Sequence, residues 1–142
     1  MTETQTRAEA FTQRIAQMIE AMTAHDLDAL MDHYDDGLVF VDSASAQRFT
    51  KDGLRDFVDE LWVEQPDFTV RMAASHALGN EFAVMLEASA SMPRRVSGEA
   101  VQVSWVIPVI YTFDPSSLKV VREISFSDEE AYQQTLADLG VA

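Results

Sequence analysis

The stretch His25-Asp26-Leu27-Asp28-Ala29-Leu30-Met31, running on through Tyr34 and Gly37 into Leu38-Val39-Phe40-Val41-Asp42, decides how this chain is read. Asp26 is placed to cap a short helix whose apolar side is Leu27, Leu30, Met31 and Tyr34, ending before Gly37. Leu38 to Asp42 then reads as a strand. Side chains two apart on a strand share a face, so Leu38, Phe40 and Asp42 point the same way. If that face is inward, a carboxyl group sits in an apolar pocket. Such a group must be paired, hydrogen-bonded or raised in pKa, and the last of these suits it to general acid or base work.

Upstream, Thr6 with Glu9 makes a capping box, and Phe11, Ile15, Met18, Ile19 and Met22 recur at helical spacing, which predicts a helix from about Glu9 to Thr23. Downstream, a polar loop leads to Thr50, placed to cap a third helix with Leu54, Phe57, Val58, Leu61 and Trp62 on its apolar side and Pro66 as its stop. The period then switches to two. Phe68, Val70, Met72, Ala74, His76 and Leu78 share one strand face, Gly79-Asn80 signals a hairpin, and the return strand covers about Phe82 to Ser91. After a turn from Pro93 to Gly98 comes the longest strand, with Val101, Val103, Trp105, Ile107, Val109, Tyr111 and Phe113 on one face. Pro108 interrupts it and predicts a bulge or an unpaired edge. Asp114-Pro115-Ser116-Ser117 turns the chain into a last strand, Leu118 to Phe126, and Ser127 with Glu130 caps a final helix.

The 142 residues fit a single domain with a substantial core, and no repeat or linker divides residues 1–142. The 24 acidic against 10 basic side chains give a formal charge of −14, which repels a phosphate backbone and an anionic bilayer alike. Nucleic acid and membrane are therefore poor partners. Without cysteine there is no disulfide framework, thiolate metal site or thiol nucleophile. The polar residues Met1 to Arg7 lack the apolar core of a secretion signal, so a cytoplasmic location is expected. His25, His33 and Asp28 do not have metal-ligand spacing, and no metal or cofactor is expected. Arg94-Arg95 reads as exposed turn charge.

Helix, helix, strand, helix and then a long antiparallel meander is the order of an α+β domain whose helices cover one face of a bent sheet. The segments Ala24 to Leu30 with Tyr34, Asp35 to Phe40, Lys119 to Glu123 and Leu136 to Gly140 resemble the nuclear transport factor 2-like superfamily, specifically its SnoaL-like branch. The resemblance implies a cone-shaped, strongly curved, mostly antiparallel sheet packed against three N-terminal helices, with a short C-terminal helix and a deep pocket, often dimerised through the outer sheet face. Val106 and Ile110 interrupt the polar face of the long strand and point to the same homodimer. Relatives include ketosteroid isomerase, polyketide cyclases, scytalone dehydratase, limonene epoxide hydrolase and noncatalytic association domains.

Aligned on the Asp26-Leu27-Asp28 motif, Asp42 matches the base of ketosteroid isomerase. The isomerase's oxyanion donors do not carry over, because their positions fall at Met18 and near Val109. The proton-handling aspartate of the cyclase branch falls at Ser125, which is not a carboxylate. Glu123 shares the face of Ser125 one step deeper, and scytalone dehydratase carries a functional histidine in the strand that here holds His76. The expected catalytic set is Asp42 as base, His76 as its acid or orienting partner close enough to share a proton, and Tyr111 as donor to a developing oxyanion. Phe40, Trp62, Trp105, Glu123 and Ser125 are expected to contact the substrate. Two functions stay open: a cofactor-independent isomerase, cyclase or dehydratase acting on an apolar carbonyl-bearing metabolite, and a noncatalytic ligand-binding or dimerisation domain.

Overall fold

The first helix opens at Thr2. Its hydroxyl accepts from the Gln5 amide at 3.1 Å while the Gln5 side chain accepts from the Thr2 amide at 2.8 Å, so α1 spans Glu3–Thr23 in the computed structural model, which describes residues 2–142. The predicted start at Thr6 is thus one turn late. Thr6 lies inside the helix and donates its hydroxyl back to Thr2 O, and nothing between the two threonines breaks a helix. A short α2 (Leu27–Met31) follows, with Asp26 accepting from the Ala29 amide.

Tyr34 is not the end of that helix but the first residue of β1 (Tyr34–Asp42), where it pairs with Val120. The register shifts between Tyr34 and Val39, across the point before Gly37 where the sequence alone ends the helix. The expected polar loop contains a short strand, β2 (Gln47–Phe49), folded back on β1. Thr50 caps α3 (Lys51–Glu64), accepting from the Gly53 amide at 3.2 Å. The meander is β3 (Thr69–Leu78), β4 (Glu81–Pro93), β5 (Ala100–Phe113) and β6 (Val120–Ser125). Gly79, at φ 62°, supplies the left-handed turn between β3 and β4. Asp128, rather than Ser127, caps α4 (Glu129–Asp138).

The strands form one six-stranded sheet in the order β2-β1-β6-β5-β4-β3, antiparallel except where β1 lies parallel to β6. The sheet is curled but not closed. Its concave face carries Phe82, Val84 and Leu86 from β4 and Val103, Val109 and Phe113 from β5, and these meet Phe11, Ile15 and Met18 of α1. Phe11 stacks on Phe113 with ring centroids 4.4 Å apart. Pro108 interrupts nothing on the β4 side, where it pairs with Met85. Pairing with β6 begins only at Val109, and Phe126 N donates to Pro108 O beyond the end of that strand. The missing proline N–H therefore faces the place where β6 has already ended, which is the unpaired edge that proline requires.

One irregularity changes which residues face the core. Along β3, Val70 pairs with Ala88 and Met72 with Leu86, but the next partners are Ala74 and Met85, so Ala73 is an extra residue. A bulge of one residue reverses the face of everything after it. Ser75 and Ala77 now lie opposite the inward Val84 and Phe82, and His76 points outward.

Candidate active site

Between the concave face of the sheet, α3 and α4 lies a cavity of about 510 Å³. Its deep end is built from three neighbouring strands. Glu123 of β6 is in register with Tyr111 of β5 on one side and Phe40 of β1 on the other, and Tyr34 enters from the start of β1. The Tyr34 hydroxyl donates to Glu123 Oε1 at 2.7 Å. Glu123 is 7% exposed, the only buried carboxyl among the described residues. Burial pushes its pKa up to about 7, with the Tyr34 hydrogen bond holding it back. Burial, and then the neighbouring Glu123 charge, keep the Tyr34 and Tyr111 hydroxyls well above the ordinary phenol range. Both tyrosines are therefore neutral donors at physiological pH. A half-ionised carboxyl flanked by two protonated phenols can accept a proton, return it and donate hydrogen bonds to a neighbouring oxygen.

Asp42 shares its face with Phe40, as alternation predicts, but lies at the strand end on the cavity rim. There its Oδ1 accepts from the Ala44 amide at 3.1 Å and its Oδ2 from Ser45 Oγ at 2.9 Å, an arrangement that caps the turn into β2. Ser125, its register partner on β6, also lines the cavity and is buried.

Of the other expected site residues, Phe40, Trp105, Tyr111 and Glu123 line the cavity, whereas Trp62 and His76 do not. On α3, Leu54, Val58 and Leu61 face the space, and Gln65 lines it from the residue just past the helix end; Trp62, one position beyond Leu61, is turned about a hundred degrees away. It stacks instead on His25, with ring centroids 4.6 Å apart and planes within 5°. His76 is carried outward by the bulge at Ala73 and is exposed. Three strands separate β3 from β1, so the expected proton-sharing pair of Asp42 and His76 does not form. The partner the carboxyl chemistry has is Tyr34, which an apolar helix face had absorbed. Two further polar side chains that sequence reading passed over, Gln65 and Tyr132, line the cavity as well.

A SnoaL-like domain family model matches residues 15–122, three quarters of the chain. The chain belongs to the SnoaL-like family. Among solved structures, this SnoaL-like chain is similar to a candidate SnoaL-like polyketide cyclase from Shewanella denitrificans OS-217, at 16% identity and TM-score 0.77, covering 90% of this chain and 97% of that one. It is also similar to IdmH, a candidate polyketide cyclase from Streptomyces antibioticus, at 14% identity and TM-score 0.78, covering 89% and 98%. TerC, crystallised with polyporic acid, aligns at 10% identity and TM-score 0.73 over 90% and 98%. No curated protein matches the chain. At these identities the structural neighbours establish the fold.

No SnoaL-like helix among the described residues is long and apolar enough to cross a membrane. Nor do three His, Asp or Glu side chains among them gather as a metal-binding set.

Proposed function

We propose that this SnoaL-like protein is a cofactor-independent enzyme that moves a proton on an apolar, carbonyl-bearing small molecule, in the service of isomerisation, cyclisation or dehydration. The observation that carries the reading is the Glu123 carboxyl, buried in the cavity with a pKa of about 7 and held by Tyr34. A base is most effective when its pKa lies near the working pH. Ionised Glu123 takes a proton from the carbon beside the substrate carbonyl. The electron pair of the broken C–H bond moves to the carbonyl oxygen, and Tyr111 donates a hydrogen bond to the resulting enolate. Tyr34 fixes one carboxyl oxygen and leaves the other for the proton, which Glu123 then returns to product. Asp42 at the rim orients a polar group of the substrate, while Phe40 and Trp105 supply apolar walls. The function belongs to a cytoplasmic homodimer joined through the outer face of the sheet.

The second reading is noncatalytic binding of a small ligand. It is favoured by the serine at position 125, where the family resemblance puts a carboxylate, and by the use of Asp42 as a turn cap.

Exchange of α-protons for deuterium, followed by NMR across a panel of apolar ketones in D2O, separates the two without knowledge of the natural substrate. Catalysed exchange that disappears in Glu123→Gln is the expected result. Ketones that bind the cavity but exchange no faster than in buffer would establish the binding role instead.

A further inference from the structure

The cavity carries charge of one sign. Four carboxyl groups line it, those of Asp42, Glu123, Asp128 and Glu129, and among the described residues no lysine, arginine or histidine does. The strands at this end keep their basic residues out of it. Arg48 alternates with Gln47 and Phe49 on β2, and Arg122 precedes Glu123 on β6, so both arginines lie on the other sheet face. Glu123 is deep, whereas Asp42 stands at the rim and Asp128 and Glu129 are exposed at the opening.

Acidity alone would make a solvated rim, but a second feature lies beside it. Ser125 is the register partner of Asp42 and lines the cavity with it. Its carbonyl accepts from the amide and from the hydroxyl of Ser43, each at 2.9 Å, which fastens the ends of β1 and β6 together. Ser125 is 8% exposed, and its own hydroxyl has no hydrogen-bond partner among the described residues. That hydroxyl is not sealed in the protein, as the unpartnered polar atoms of Trp62 and Gln65 are, but opens on the cavity. A buried hydroxyl left without a partner is costly, and one that opens on a ligand space can be completed there. The neighbouring carboxylates do not gather as a metal-binding set, so the cation that suits them is one drawn by their field and held by single hydrogen bonds.

We propose that the rim receives an organic ammonium group of the ligand, which donates to the Ser125 hydroxyl and has its charge met by Asp42, while Asp128 and Glu129 favour cations and turn away anions at the opening. An ammonium nitrogen is purely a donor, and a hydroxyl oxygen and a carboxylate both accept. Neighbouring strands lie about 4.8 Å apart, so one group between them reaches the side chains of a register pair. Each Asp42 oxygen accepts one hydrogen bond within its turn and keeps a lone pair for another. The proposal rests on the proposed function only for the opposite pole of the ligand. Glu123 and Ser125 are two residues apart on β6, about 7 Å along a strand, which sets the spacing of nitrogen and carbonyl at about that length. The ligand is therefore an amino ketone with an apolar body, and a ketone bearing a carboxylate or phosphate meets no counter-charge.

The test is NMR titration, at about pH 7, of three aryl ketones of similar shape: para-(aminomethyl)acetophenone, protonated at that pH, neutral para-ethylacetophenone and anionic para-acetylphenylacetate. The cation is expected to bind the native protein about three- to tenfold tighter than the neutral ketone, as a partly solvated ion pair with one hydrogen bond allows, and the anion more weakly than either. Asp42→Asn, which can still cap the turn, should bring the preference for the cation to within about twofold of unity. Ser125→Ala should lower it as well, and serves should the first variant fail to fold. Asp128→Asn with Glu129→Gln should narrow the gap between the neutral and anionic ketones. Asp56→Asn with Glu60→Gln, on the exposed side of α3 outside the cavity, removes as much charge and should change no ratio. Because each ratio compares ligands on one protein, a general loss of stability does not imitate it. Equal binding of the cationic and neutral ketones, a preference that survives at both Asp42 and Ser125, an equal loss in the α3 variant, or no binding of any probe overturns the proposal. A cation preference without catalysed deuterium exchange would keep the ammonium site and remove the enzymatic reading, and exchange without a charge preference would do the reverse.

Discussion

Glu123→Gln should make the protein less sensitive to alkali. The folded Glu123 carboxyl has a pKa of about 7 against an ordinary value of 4.5, and the cause is burial. Below about pH 4.5 the carboxyl is protonated in both the folded and the unfolded chain, and its contribution to stability is fully present. As the pH rises towards 7 the unfolded chain releases this proton while the folded chain retains it, so stability falls. Above about 7 the folded carboxyl ionises too, and no further loss follows. At about 1.4 kcal/mol per pH unit the gap amounts to about 3 kcal/mol, which for a chain of this length is a change in Tm of roughly 10 °C. Glutamine keeps the shape, holds a hydrogen-bond acceptor toward Tyr34 and does not titrate. Urea unfolding of the native protein and of Glu123→Gln, measured at intervals from about pH 4 to about pH 8, cancels the other carboxylates, which titrate in both. The stability of the native protein relative to the variant should drop by about 3 kcal/mol across this range, with most of the drop between the two pKa values. A difference that stays constant within about 0.5 kcal/mol would refute the account of Glu123 as a desolvated carboxyl and remove the basis for its role as base.

Tyr34→Phe deletes the hydrogen bond that lowers the Glu123 pKa, so the pH midpoint of catalysed deuterium exchange should move upward from about 7, at a stability cost of about 1–3 kcal/mol in urea unfolding above that midpoint; an unchanged midpoint would sever the link between the pair. His76→Ala, on the exposed side of an edge strand, should leave exchange rates within about twofold and stability within about 0.5 kcal/mol, and a large loss of exchange would restore the histidine to the mechanism. Asp42→Asn should leave the pH midpoint of exchange in place, because the rim carboxylate caps the turn into β2 and takes no part in the proton transfer, whereas a displaced midpoint would make Asp42 the base. Val39, Met85 and Val106 are partly exposed on the outer face of the sheet, with Ile110 and Ile124 between them in the strand order, and light scattering should give about twice the 15.9 kDa chain mass. A mass of one chain at high micromolar concentration would refute the homodimer.

Period and punctuation made most of the architecture legible. The inward face of β5 from Val101 to Phe113 follows from strict alternation, and α3 follows from Thr50 and the spacing of Leu54, Val58 and Leu61. Glu123 and Ser125 were legible as neighbours on one face for the same reason. What alternation does not reveal is a change of phase. The extra residue at Ala73 carries no glycine or proline to announce it, and it turns His76 from an apparent interior residue into a surface one. Asp42 shows a different limit: its face is right, but its position at the end of β1 lets the carboxylate serve the turn. Tyr34 fits the apolar side of α2 as well as it fits a strand, and only its distant pairing with Val120 decides between them. The acid and its hydrogen-bond donor lie 89 residues apart, a distance over which local patterns carry no information.

That separation also sets when the site comes into being. The β3–β4 and β4–β5 hairpins join segments that are adjacent in the chain, whereas β1 must wait for β6 before its parallel edge is covered. During synthesis the N-terminal strand emerges long before its partner, and closing so long a loop is entropically unfavourable until the meander offers a surface to receive it. Glu123 remains an ordinary, solvated carboxylate until that closure, and Tyr34 has nothing to bind. The chain thus assembles its buried Glu123–Tyr34 pair only on completion, and a nascent or partly unfolded molecule has no desolvated carboxyl of this kind.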